Sequence, residues 1–319
     1  MSNRFPVRLS RREVLRSSLA AGAGLAILQP GWAATGAPAQ LPLITKSIPG
    51  TGEKLPAIGL GTDAFRSGDS EAIQAEIQRL QQLGGSVIDT AANYGDSEAI
   101  IGQALASLGI RDRMFVSSKL TANGTGPRGD GVGGPQSLER SFTRLKTQRI
   151  DLLQVHNLDG VDTLFPLLQQ WKQAGKIRYI GITTSRVAQH EQMLEYMRKY
   201  PLDFVQVDYS LANRDAAKAI LPLAMERRMG VLANIPFGFG SVLRQAQSRP
   251  LPPWAADIDV TDWSQLLLKY VISHPAVTCA IPGSTRVEHL EDNQRAARGR
   301  LPDAAMRTRL EQLWDAGAS

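Results

Sequence analysis

Beyond about residue 40 the chain alternates short β-branched runs with helical stretches eight times, and that alternation restricts the fold more than any other feature. The runs are Ile58 to Thr62, Val87 to Ala91, Phe115 to Leu120, Ile150 to His156, Tyr179 to Thr183, Phe204 to Tyr209, Gly230 to Phe237 and Thr278 to Ile281. Between them, Leu164, Leu167, Leu168 and Trp171, or Trp263, Leu266, Leu267, Tyr270 and Val271, step by three and four residues and so form one apolar helix face. Strands separated by helices run parallel. Eight such units in roughly 250 residues predict an α/β fold of the (β/α)8 TIM-barrel type rather than an open doubly wound sheet. Upstream, Leu43 to Pro56 contains Pro49-Gly50 and Thr51-Gly52, turn chemistry that predicts an N-terminal β-hairpin closing the barrel bottom. No composition shift divides residues 41–319, so they are expected to form one barrel domain.

The formal net charge is +6, but Arg4, Arg8, Arg11, Arg12 and Arg16 against Glu13 place +4 of it in the first 33 residues. The remainder is close to neutral, so no nucleic-acid partner is expected. Arg11-Arg12 precede an apolar stretch, Leu19 to Leu28, and small residues around Gly31, Ala33 and Ala34, the layout of a signal peptide over residues 1–34. The arginine pair resembles the twin-arginine type, which implies export of the folded protein by the twin-arginine translocase to the periplasm. The apolar stretch falls short of the roughly 20 residues of a membrane span, so no stable membrane anchor is expected. A single cysteine, Cys279, suits a chain that folds in a reducing cytoplasm before export.

Gly124, Gly126 and Gly129 satisfy the G-x-G-x-x-G spacing after a candidate strand. A dinucleotide fingerprint must open a helix, whereas Pro127, Pro135 and further Gly and Asp residues are expected to break any helix before Ser137. Thr121 to Gln136 is therefore expected to be a long loop at the active-site face. No H-E-x-x-H, C-x-x-C or G-x-S-x-G occurs, and His156, His190, His274 and His289 are scattered, so neither metal nor serine-nucleophile chemistry is predicted.

Catalytic groups of such a barrel come from the C-terminal strand ends. Asp89, with Tyr94 five residues on, Lys119 ending Phe115-Val116-Ser117-Ser118-Lys119, and His156 ending Asp151-Leu152-Leu153-Gln154-Val155-His156 meet that rule. Their types suit proton transfer. A nearby ammonium lowers a phenol from its usual pKa near 10 toward the working range, so Lys119 is expected to activate Tyr94. Asp89 would keep a buried Lys119 charged, and His156 would hydrogen-bond a carbonyl oxygen.

With Gly59-Leu60-Gly61-Thr62 and the segment from Val87 to Glu98, these residues resemble the aldo-keto reductase superfamily, over nearly the whole chain up to Asn293. The resemblance implies hydride transfer from nicotinamide C4 of NADP(H), or alternatively NAD(H), to an aldehyde or ketone carbonyl, with Asp89, Tyr94, Lys119 and His156 as the catalytic residues. It also implies that Gln206 contacts the nicotinamide carboxamide and that Ile281 to Arg286 with Asn293 hold the adenosine-phosphate end. Phosphate there is reasonable independently, because loops after strands seven and eight and a helix N-terminus offer amide donors, and the Arg286 fork suits a 2′-phosphate. The implied cofactor contacts are Gly61, Thr62, Thr183, Thr184, Gln206, Asn234, Pro236, Phe237, Gly283, Ser284, Arg286, His289 and Asn293.

Three positions depart from the commonest family pattern. Thr183-Thr184 replaces Ser-Asn, His289 replaces an arginine, and Asn234-Ile235 replaces Tyr-Ser, leaving Phe237 or Tyr209 to supply the missing aromatic ring. Two other functions stay open at this level: a non-catalytic nucleotide-binding or sensing protein on the same barrel, and an unrelated aldolase forming a Schiff base at Lys119. Substrate choice is expected to lie in Thr121 to Gln136, Phe239 to Asp262 and the tail after Arg300.

Overall fold

The structure, a computed structural model, describes residues 41–124, 128 and 131–317. The expected signal peptide, residues 1–34, and Gly126, Pro127 and Gly129 of the glycine spacing lie outside the described residues. Alternating burial first produces an antiparallel hairpin, β1 (Thr45–Ser47) and β2 (Lys54–Pro56). Eight parallel strands follow: β3 (Leu60–Gly61), β4 (Val87–Asp89), β5 (Phe115–Leu120), β6 (Ile150–Val155), β7 (Ile177–Thr183), β8 (Phe204–Asp208), β9 (Gly230–Asn234) and β10 (Cys279–Ala280). Each pairs with the next in sequence. Bridges Ile58↔Ala280 and Gly61↔Gly283 close the ring, with the Gly59 N–H donating to Ala280 O at 2.9 Å and the Gly61 N–H to Pro282 O at 3.0 Å. The result is the (β/α)8 barrel that the alternation predicts.

The α-helices of the described residues are α1 (Ser70–Gln82), α2 (Ser97–Leu108), α3 (Gly134–Leu145), α4 (Val161–Gln173), α5 (His190–Lys199), α6 (Ile220–Glu226), α7 (Ser241–Gln247), α8 (Trp263–Ser273), α9 (Val287–Ala296) and α10 (Ala304–Ala316). Helix α3 starts at Gly134, before the expected Ser137, because Pro135 occupies the first turn, where its missing N–H costs nothing. The β9 ladder stops at Asn234 rather than reaching Phe237, since Ile235 turns into the left-handed region at φ 49°.

Period-two alternation sorts the strand side chains into two sets. Val116, Leu120, Leu153, Val155, Ile180, Ile182, Val205 and Val207 face outward into the core beneath the helices. Val87, Phe115, Leu152, Tyr179, Phe204 and Leu232 face inward and fill the N-terminal half of the barrel, plugged by Ile48 and Leu55 of the hairpin. The Phe115 and Tyr179 rings stack with centroids 6.0 Å apart, and Tyr179 meets the Phe204 ring edge-on at 5.5 Å. Each such buried side chain is worth about 1.5–3 kcal/mol of transfer free energy. An ionic chain holds the hairpin in place, with Arg178 reaching both Glu53 and, at 2.9 Å, Asp151, which Arg111 also contacts at 3.0 Å.

Farther along the strands the inward positions become polar: Phe115 gives way to Ser117 and Lys119, Leu152 to Gln154 and His156, Phe204 to Gln206. Cys279 belongs to the apolar half, where burial pushes its thiol well above the usual range and leaves it inert. Polar chemistry is thereby confined to one end of the barrel.

Helices α2 and α3 meet most closely at Gly102, where an added Cβ would stand 2.1 Å from Arg144 O and 2.7 Å from Leu145 Cα. Backbone cannot yield as a side chain does, so Gly102→Ala should destabilise the fold by roughly 1–3 kcal/mol. Chemical denaturation of the variant and the parent measures this directly; equal midpoints would show that the two helices separate without cost.

Candidate active site

Asp89 ends β4 and Lys119 lies one residue before the end of the neighbouring β5, so parallel pairing alone brings them together. Lys119 Nζ donates to Asp89 Oδ2 at 2.6 Å and to Thr90 O at 2.7 Å, with the side chain buried. Ser117 Oγ donates to Asp89 Oδ1 at 2.9 Å, and Gln154 Nε2 bridges Ser117 Oγ at 3.0 Å and Gln206 Oε1 at 2.7 Å. Burial opposes the ammonium, but attraction by Asp89 and by the Tyr94 phenol outweighs it and holds the Lys119 pKa above the usual lysine range. A permanently charged, multiply bonded amine is a poor nucleophile, which counts against a Schiff base at Lys119.

Tyr94 is presented by the segment joining β4 to α2. The Ala92 N–H donates to Lys119 O at 2.9 Å and the Tyr94 N–H turns back to Ala91 O at 3.0 Å. Ser97 Oγ, at the start of α2, lies 2.9 Å from Thr90 Oγ1 and 2.8 Å from Thr62 Oγ1, and Thr62 Oγ1 donates to Asp89 O at 2.9 Å. This hydroxyl chain ties the segment to β3. Lys119 Nζ sits 5.0 Å from the Tyr94 ring centroid, and the His156 ring stands edge-on to it at 5.6 Å.

The lowering expected for the Tyr94 phenol does not hold. Burial is the largest effect and raises its pKa, Lys119 lowers it only in part, and Asp89 and Asp63 add to the rise. Tyr94 thus keeps its proton. Burial, then repulsion by Lys119, pushes the His156 imidazole down to about 3, and His156 Nδ1 is buried without a hydrogen-bond partner. Neutral at physiological pH, His156 can orient an oxygen but cannot act as an imidazolium acid.

All four residues line one cleft of about 960 Å³, at the large end of the range for ligand sites. Gly61, Thr62, Thr183, Gln206, Asn234, Pro236, Phe237, Gly283, Ser284, His289 and Asn293 line it too. Thr184 and Arg286 do not. Thr184 is buried behind the wall, donating to Gln189 Oε1 at 2.6 Å, and the Arg286 side chain is 64% exposed with Glu288 3.6 Å away. Tyr209 is no substitute for an aromatic stack, since its buried ring packs on Tyr270, whereas Phe237 is in the cleft. Arg128 from the loop after β5, and Phe239, Leu243 and Asp262, contribute to the lining as expected of those segments, but among the described residues nothing after Asn293 does.

Asp63, Asn157, Ser185 and Asp292 line the cleft without having been singled out in the sequence. The strand-end rule that nominates Lys119 extends to Asp63, just past β3, and to Asn157, just past β6. Among the described residues no group of His, Cys, Asp and Glu could hold a metal ion, and no helix is long and apolar enough to cross a membrane.

Residues 57–315 match the Aldo/keto reductase family. The chain belongs to that family. Among curated proteins it is similar to the uncharacterized oxidoreductase YqkF of Bacillus subtilis (strain 168), 28% identical over 282 residues spanning 76% of this chain and 87% of the relative. It also resembles the methylglyoxal reductase YeaE of Escherichia coli (strain K12), 27% identical over 260 residues, 79% of this chain and 89% of that one. A solved aldo-keto reductase from Klebsiella pneumoniae in complex with NADPH superposes with a TM-score of 0.72 at 25% identity, covering 86% of this chain and 96% of the other. As an aldo/keto reductase the chain is an oxidoreductase whose family acts on small carbonyl compounds.

The depressed imidazoles make stability depend on acid. His156, at about 3, and His274, held to about 4 by burial and by Arg307 and Lys46, are neutral when folded, yet protonate below about 6.5 when unfolded. Between those values the unfolded chain binds more protons, so stability present above pH ~6.5 is lost as pH falls, at up to about 1.4 kcal/mol per pH unit for each group. Urea unfolding near pH 5 and pH 7 should show the loss, and His156→Gln should reduce the slope; an unaltered slope would mean His156 is not held neutral.

Proposed function

We propose that this aldo/keto reductase is an exported, NADP(H)-dependent reductase of aldehyde or ketone carbonyls in which Tyr94 gives the proton. The observation that carries the proposal is the cluster itself: a phenol that keeps its proton, edge-on to a neutral imidazole with an orphaned buried nitrogen, above an ammonium fixed by Asp89. The Klebsiella structure in complex with NADPH and the methylglyoxal reductase of E. coli support the cofactor and the reaction type.

The residues present fit a nicotinamide dinucleotide. Asn234 Oδ1 is a buried acceptor without a partner, placed with Thr183 and Gln206 in the wall near the cluster, where a carboxamide would find polar groups. At the far end, α9 begins at Val287 without a side-chain cap, and Gly283 meets only Gly61 O, 3.7 Å from where a Cβ would stand. Gly283, Ser284, His289 and Asn293 would hold the adenosine-phosphate end there, with exposed Arg286 at its edge. When bound, the reduced cofactor supplies a hydride to the carbonyl carbon. Tyr94 and His156 hydrogen-bond the carbonyl oxygen, Tyr94 delivers its proton as charge develops, and Lys119 stabilises the phenolate left behind.

Tyr94→Phe should lower kcat by roughly 10²–10⁴ while NADPH affinity, measured by titration calorimetry, changes only a few-fold. Lys119→Met should also lose activity, since the phenolate loses its counter-charge. Full turnover of every aldehyde by Tyr94→Phe would refute the proton assignment.

The export part rests on Arg11-Arg12 ahead of a short apolar run. Replacing both arginines with lysine should retain the precursor in the cytoplasm on cell fractionation. Unchanged periplasmic yield of the double variant would exclude the twin-arginine route.

A further inference from the structure

The buried face of α1 is apolar with one interruption. Ile73, Ile77 and Leu80 pack into the core at the three- and four-residue spacing of a helix face, and among them stands Glu76, fully buried. Neither of its carboxyl oxygens makes a hydrogen bond of ordinary geometry. The Ser284 hydroxyl is the one polar group near enough to act on its charge, and no basic side chain does so.

Charges on the surrounding elements are engaged elsewhere. Asp69 and Glu71, at the start of α1, are exposed. Glu98, the ionisable residue of α2, accepts from Ser118 at 2.6 Å, and Arg79 of α1 reaches across to Glu291 of α9 at 2.6 Å. On α9 Arg295 holds Asp292 at 2.7 Å, Arg286 just ahead of it lies 3.6 Å from Glu288, and His289 lines the cleft. Burial therefore pushes the Glu76 carboxyl above the usual carboxylate range, and Ser284 offsets the rise only in part.

A serine hydroxyl has one proton and two lone pairs. Ser284 Oγ donates to Arg286 O at 3.0 Å and accepts from the Arg286 N–H at 3.2 Å, which fixes the turn that opens α9. One lone pair is left. A protonated Glu76 can fill it as a donor, whereas an ionised Glu76 is satisfied only by drawing the serine proton away from Arg286 O. Ionisation thus loosens the turn and sets an unpaired negative charge, in a medium of low dielectric, behind Ser284 in the wall that would receive phosphate.

We propose that Glu76 is a positioning residue for the cofactor: in its protonated form it donates to Ser284 Oγ and holds the turn that receives the adenosine phosphates, so that dinucleotide binding takes up a proton at Glu76. The proposal rests on the cofactor reading and extends it to a residue outside the cleft lining. Bound phosphate disfavours the ionised carboxyl, so the complex keeps this proton to higher pH than the free protein does. Affinity is unaffected below both midpoints and falls as pH rises between them.

Titration calorimetry of NADP+ between about pH 5 and pH 8, each point in two buffers of different ionisation enthalpy, reads affinity and proton uptake together. Glu76→Gln keeps a donor for Ser284 and cannot ionise. Titration of His289 and of the 2′-phosphate is common to parent and variant, so their difference isolates Glu76. The parent should take up more protons than Glu76→Gln and bind roughly three- to tenfold more weakly at the alkaline end, with the two affinities converging at the acid end. Glu76→Leu, which suits the apolar face but supplies no donor, should bind roughly two- to tenfold more weakly than Glu76→Gln throughout, the worth of one hydrogen bond. Equal proton uptake by the parent and Glu76→Gln overturns the proposal, and so does Glu76→Leu matching Glu76→Gln, which would make Ser284 indifferent to Glu76. Either result leaves the cofactor reading intact, whereas a parent protein that binds neither NADP+ nor NAD+ defeats that reading and the proposal with it.

Discussion

A lysine inside a barrel must be paid for by a counter-charge, and the rest of the site depends on the 2.6 Å contact between Lys119 and Asp89. Removing one partner of such a buried pair typically costs about 3–5 kcal/mol, because the survivor is left charged and unsolvated. The register of β4 against β5 sets the contact, pairing Asp89 with Ser117 and so placing Lys119 two residues farther along the same inner face. Ser117, Gln154 and Gln206 occupy the remaining polar valences in a chain that crosses β5, β6 and β8. A shift of one residue in any of these strands would turn the polar set outward and the aliphatic set inward, so the fold and the site share one register.

That register also explains why the barrel has one reactive end. Phe115, Tyr179 and Phe204 fill the N-terminal half, and the hairpin residues Ile48 and Leu55 seal it from water. Packing energy is concentrated there, where a charged group would be costly. At the opposite end the strands are free to carry Lys119 and Thr183, held by hydrogen bonds, and to lead into His156, edge-on to the Tyr94 ring. Ring closure through Gly61 depends on its lack of a side chain, since a Cβ would stand 2.8 Å from Ile281 O.

Most of the fold was legible in the sequence because strand and helix periods differ and the eight repeats are short and regular. Asp89, Lys119 and His156 were legible for a related reason: a charged or titratable side chain closing a β-branched run is out of place in a core, and Tyr94 follows Asp89 by only five residues. Thr184 and Arg286, implied as cofactor contacts, are not part of the cleft lining. Alternation puts Thr183 inward and therefore Thr184 outward, as the structure has it. Ile235 escapes the same rule only because its left-handed backbone turns it back toward the cleft, which no pattern of residue types announces. The direction of the Tyr94 shift was unreadable for another reason, as it is the difference between burial and the field of Lys119, and burial has no signature in the local sequence.

That difference bears on how the cluster works. Burial keeps the phenol protonated despite Lys119, and His156, held down to about 3, has no proton to offer near neutrality. Under the proposed reaction the proton then comes from the phenol, whose ring stands edge-on to the imidazole. Its conjugate base, once formed, lies beside an ammonium whose charge Asp89 has already fixed, so Lys119 helps the ionised state far more than the neutral one. An interaction that is weak before proton transfer and strong during it is the kind that lowers a barrier, whereas one equally strong in both would only tighten binding. If Tyr94 gives the proton as proposed, Asp89 acts at one remove: it keeps the charge on Lys119 that the phenolate would need.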